Sequence, residues 1–163
     1  MQPDPALVRA FLEVARHVYA ECDRAGVIYD DLPEMVLAAA TRWCADDAET
    51  MQDLRALLGE MLGSRADLAK SGGPARSRAT KGAMRCMRGV ANILARYLLN
   101  QREGSSAASS LMERASTCLC YLGEPKGAAK TRVAEIFTAA GGLIPEDPRA
   151  EWGRRADDEV EDA

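Results

Sequence analysis

The sequence predicts an all-α protein, a single-domain bundle of about six helices, and two observations carry that expectation. The composition is rich in Ala, Leu, Arg and Glu but holds only two Phe, two Trp and four Tyr, a balance that favours helix and leaves little material for a sheet. Apolar residues recur at spacings of three and four in successive segments of helical length, each bounded by capping residues or glycine. At 163 residues the chain has the size of one domain, and no repeat of solenoid period interrupts it.

The first helix is expected to start after Asp4, with Pro5 in its first turn, and to end at Gly26. Leu7, Phe11, Val14, Val18, Cys22 and Ala25 share one stripe of it, while Arg9, Glu13 and Arg16 face water. Asp31 followed by Glu34 reads as a capping box for a second helix that turns Met35, Val36, Ala39, Ala40 and Trp43 inward. Asp46 and Glu49 repeat the signal for a third, whose Met51, Leu54, Leu57, Leu58 and Met61 lead to Gly63. A weak helical turn over Arg65–Lys70 gives way to Ser71-Gly72-Gly73-Pro74, which places a hinge at 71–75.

A long fourth helix spans 76–102, and a fifth opens at Ser105 or Ser106 and closes at Gly123, burying Leu111, Ala115, Cys118, Leu119 and Leu122. The sixth covers 128–140 and is anchored by Val133, Ile136 and Phe137. The bundle is thus expected over 1–144. Residues 145–163 end in the run Asp157–Asp162 and read as an acidic, largely flexible tail.

Charge is segregated along the chain. Residues 65–132 hold 13 Lys and Arg against 4 Asp and Glu, a balance of +9, whereas 1–64 carry −7 and 133–163 carry −6, for a total of −4. Such asymmetry bears on partners, not on fold. At 100° per residue, Arg78, Lys81, Arg85, Arg88, Asn92 and Arg96 of the fourth helix fall within about 80° of arc. Met84, Met87, Ala91, Leu94 and Leu98 occupy an arc centred about 120° away. The polar arc is a basic ridge roughly 27 Å long, with almost no carboxylate one turn away to neutralise it. Arg76 stands just ahead of it, and Lys126, Lys130 and Arg132 extend the same charge from the sixth helix.

Arg predominates over Lys on the ridge, which suits bidentate phosphate contacts. No aromatic lies in the arc, since Tyr97 falls elsewhere on the helix, so base stacking is not expected and contacts would go to the backbone. Binding of that kind is tolerant of sequence and steeply salt-dependent. A solvated polar face, its arginines paired with acidic helices, is the plainer reading of the same pattern.

Nothing in the sequence names a reaction. The stretch from Gly123 to Lys130-Thr131 echoes a phosphate loop but lacks a glycine before Lys130 and follows a helical segment, not a strand. His17 is the only histidine, and Cys118 and Cys120 point to nearly opposite sides of a helix. Asp30-Asp31 and Asp46-Asp47 stand where helices begin and are read as caps. No nucleophile and base form a recognisable set, so neither catalysis nor a metal or other cofactor is expected. Five dispersed cysteines, Cys22, Cys44, Cys86, Cys118 and Cys120, predict a reduced intracellular protein. Without a signal-like start or an apolar run near the ~20 residues that cross a bilayer, the expected location is cytoplasmic, with no membrane partner.

A small all-α bundle over about residues 5–142 with an arginine-lined ridge and no catalytic set resembles the small subunits of CRISPR effector ribonucleoprotein complexes, which serve antiviral defence. That resemblance implies copies stacked as a minor filament beside a guide-bearing backbone. It further implies non-specific contact with a single strand or heteroduplex backbone and no chemistry of the subunit's own. The expectation is therefore a non-catalytic, RNA- or DNA-contacting subunit that self-associates and binds other subunits. The alternative is a helical protein-interaction module whose basic face docks an acidic protein surface or a neighbouring copy.

Overall fold

The computed structural model describes residues 2–28, 30–44, 47–63 and 77–144. Among them are six helices and no strand: α1 (Pro5–Arg24), α2 (Leu32–Arg42), α3 (Ala48–Gly63), α4 (Arg78–Leu98), α5 (Gly104–Tyr121) and α6 (Lys126–Ala139). The chain is an all-α bundle. The turn at Arg65–Lys70, the hinge at 71–75 and the acidic tail at 145–163 lie outside the described residues.

Local chemistry sets the helix ends. Asp4 caps α1, its Oδ1 accepting from Ala6 N at 3.0 Å, with Pro5 following as the period implies. Asp31 holds the N-cap position of α2 as expected, but the capping bond comes from Asp30. Asp31 already has near-helical dihedrals, φ −91° and ψ −5°, and makes no capping bond, so Asp30 Oδ1 takes Leu32 N at 3.1 Å. At α3 the capping is done by Asp47, which accepts from Thr50 N at 2.9 Å and from Thr50 Oγ1 at 2.5 Å. Those bonds hold its carboxyl below the usual carboxylate range. The expected cap Asp46 is outside the described residues.

α4 starts at the cap Ser77, whose Oγ accepts from Thr80 N at 3.1 Å. It stops at Leu98 because Asn100 adopts φ 60°, so that Gln101 N reaches Arg96 O and Asn100 N reaches Tyr97 O in a Schellman closure. Neither Ser105 nor Ser106 caps α5. Ser105 Oγ donates to Glu103 Oε1 at 2.5 Å, and Ser106 Oγ accepts from Arg102 Nε at 3.3 Å.

The core is organised around α4, which packs against α1, α2, α3 and α5, while α6 packs on α1 and α5. Met84, Met87, Ala91, Leu94 and Leu98 are fully buried, as their arc requires. Phe11 of α1 meets Tyr97 of α4 edge-on, centroids 5.2 Å apart, and stacks on Phe137 of α6 at 5.9 Å. Asp4 N donates to the Tyr97 hydroxyl at 2.8 Å, tying the start of α1 to the end of α4. Cys22 and Cys118 bring their sulfurs to 3.4 Å, and Cys118 Sγ donates to Ala83 O at 3.2 Å. With that proton committed, Cys118 accepts from Cys22, a thiol chain that crosses from α1 through α5 to α4. Met35 and Ala25, read as inward, face water, and Trp43, Leu122 and Ile136 are only half-buried. No helix among the described residues is long and apolar enough to cross a membrane.

Candidate nucleic-acid interface

Enclosure by four helices leaves α4 one opening to water. Once past its first turn, its exposed or half-buried residues are Lys81, Arg85, Gly89, Asn92 and Arg96, which at 100° per residue span about 80°. Arg78, exposed in the first turn, lies in the same arc. The opening therefore coincides with the ridge. Arg78, Arg85 and Arg96 are exposed and Lys81 is half-buried, and none of the four side chains has a hydrogen bond or ion pair with another described residue. Arg76 is outside the described residues.

Two members of the expected set are removed by pairing. Arg88 is only 7 % exposed. Its Nε faces Asp30 Oδ2 at 3.0 Å, an ion contact more than an aligned hydrogen bond, and its Nη2 donates to Met61 O at 2.9 Å. The reason is its angle: within the polar arc Arg88 is nearest the core, about 40° from Met84. A guanidinium at that margin is reached by the turn before α2 and by the end of α3. It does not face solvent.

Arg132 is likewise engaged, with Nη1 on Glu124 Oε2 at 2.9 Å and Nη2 on Glu21 Oε1 at 3.0 Å. Burial pushes the Glu21 carboxyl up, but its bonds to Arg24 and Arg132 outweigh this and hold it below the usual range. Beside the cluster, burial and then the Arg132 charge lower the His17 pKa, so the imidazole is neutral at pH 7. Lys126 and Lys130 are half-buried on α6, whose packing partners are α5 and α1.

The fold also supplies what spacing on one helix could not. Arg114 of α5 is exposed and runs alongside Gly89, where an added Cβ would lie 3.3 Å from its Cδ. It brings a cation to the stretch between Arg85 and Arg96 that Arg88 vacates. Its neighbour across the helices is the Cys86 thiol, which burial pushes up to about 11 against the pull of that charge. Tyr121, at the end of α5, lies against Gly82. The expectation that no aromatic adjoins the ridge is therefore wrong, because it considered α4 alone. The two glycines in the α4 sequence were the available signal, since a glycine inside a long helix marks close approach by a neighbour.

Among the described residues no group of three or more His, Cys, Asp or Glu is placed to hold a metal ion. Compared with protein-family models, with curated proteins and with solved structures, the chain matches none.

Proposed function

We propose that the chain is a non-catalytic, sequence-independent nucleic-acid-contacting subunit of a larger ribonucleoprotein assembly. One observation carries this reading: the only face that α4 leaves open beyond its first turn bears Lys81, Arg85 and Arg96, with Arg78 in line, and no carboxylate. Arg114 adds a fifth cation from α5. Spread over roughly 27 Å, these charges match successive phosphates of a backbone, and exposed arginine forks are suited to grip them. In the setting that the resemblance to small CRISPR effector subunits implies, copies would line up in the cytoplasm as a filament and multiply weak contacts.

The test is fluorescence anisotropy of labelled RNA and DNA strands titrated with the protein at rising salt. A log–log slope of about −3 is expected for a single strand when four or five phosphates are neutralised. The variant Arg85→Glu/Arg96→Glu should abolish binding while keeping the wild-type melting temperature. Absence of any binding at low salt and high protein concentration overturns the reading.

A second reading is docking of the ridge on an acidic protein face, including that of another copy. It is favoured by the cluster of Asp23, Asp31 and Glu34 round Tyr19, whose hydroxyl donates to Glu34 Oε2 at 3.2 Å. Burial, and after it these carboxylates, raise the Tyr19 pKa to about 12. Sedimentation velocity separates the two: self-association at low salt without strand binding selects docking between copies.

A further inference from the structure

We infer that the nucleic acid held by the ridge is single-stranded and that Tyr121 is a shelf on which one of its bases stacks; this rests on the phosphate-binding reading above. The placement of the ring is specific. A Cβ added at Gly82 would press on Tyr121 Cε1 and lie 2.5 Å from Cζ and 2.6 Å from Cδ1. Three adjacent ring atoms at such similar short distances put that point over the face of the ring. A point off the edge would be close to one or two atoms and clearly farther from the third. Tyr121 thus lies flat on α4, made possible by the missing side chain at Gly82.

One face of the ring is covered by the helix, yet the residue is 37 % exposed. Since α4 covers one face, whatever the ring itself presents to solvent is its other face and edge, a flat aromatic surface held in place by packing. Its setting is the ridge itself. Lys81 precedes Gly82 by one residue and Arg85 follows it by three, roughly 4.5 Å along the axis. Both cations therefore stand within one helical turn of the glycine that the ring covers, and neither has a described side-chain partner.

An aromatic face beside a line of phosphate ligands is the combination that sequence-tolerant single-strand sites use, since every base offers a π-face. A duplex keeps its bases stacked inside and offers the ring only backbone.

The test compares wild-type binding of four probes of equal length: a single-stranded RNA, a single-stranded DNA, an abasic strand carrying the same phosphates, and a duplex. Either base-bearing strand should bind about tenfold or more tighter than the abasic one. Tyr121→Leu, which keeps an apolar cover on Gly82, should remove that difference and leave the salt slope unchanged, while Tyr121→Phe should keep it. A 2-aminopurine strand should lose fluorescence on binding wild type and not on binding Tyr121→Leu. Equal affinity for abasic and base-bearing strands, or tighter binding of the duplex, overturns the shelf and leaves the phosphate ridge standing. Failure of every probe to bind overturns the ridge reading itself.

Discussion

Arg88 and Arg85 are three positions apart on one helix, yet the fold gives them opposite roles. Arg85 points to water, while Arg88 joins Asp30 and the Met61 carbonyl in a contact with side-chain exposures of 8 % and 11 % for the ion pair. Asp30 serves twice, capping α2 with one oxygen and facing Arg88 with the other. Removing one partner of such a pair strands the other charge, so Arg88→Ala should cost about 3–5 kcal/mol in urea denaturation. The double variant Asp30→Ala/Arg88→Ala should lose less than the sum of the two single changes. Arg85→Ala should stay within about 0.5 kcal/mol of wild type. The angle of Arg88 could be read from its spacing. Its partner could not, because Asp30 is 58 positions away in the chain and only the packing of α2 and α3 on α4 brings it close.

The helices were readable as units because each keeps its apolar period and is bracketed by Ser, Asp or glycine. Their ends were less so. The capping carboxylate proved to be Asp30 at α2 and Asp47 at α3, since neighbouring aspartates look alike in a sequence and differ only in the dihedrals they adopt. The α4–α5 contact was out of reach, because single-helix periodicity gives each helix a face but not the register between two faces. That register makes two glycines behave oppositely. Ala for Gly inside a helix ordinarily stabilises by about 0.5–1 kcal/mol. At Gly89 the new Cβ meets only the flexible side chain of exposed Arg114, Cδ nearest at 3.3 Å, so Gly89→Ala should raise the melting temperature. At Gly82 it would enter the Tyr121 ring, so Gly82→Ala should lower it, and Tyr121→Ala in the same chain should restore part of the loss.

Across the molecule, charge serves both to hold parts together and to leave one face open. Arg132 links Glu21 on α1 with Glu124 in the turn before α6, a clamp that the segregated sequence charges did not suggest because Glu21 is 111 positions away in the chain. The folded-state pKa of Glu21 is depressed, so its contribution to stability is complete above the ordinary carboxylate range and is lost as pH falls through the folded value. Thermal melts should therefore show wild type above Glu21→Gln at pH 7, with the gap closing below about pH 4.

The ring of helices round α4 has one more consequence. Since nearly all of that rod is sealed, the few side chains still touching solvent are not needed for its burial, and they can be rewritten together, to neutral or to acidic, with the interior left as it is. Affinity and partner preference can then drift, or be engineered, at almost no penalty to folding.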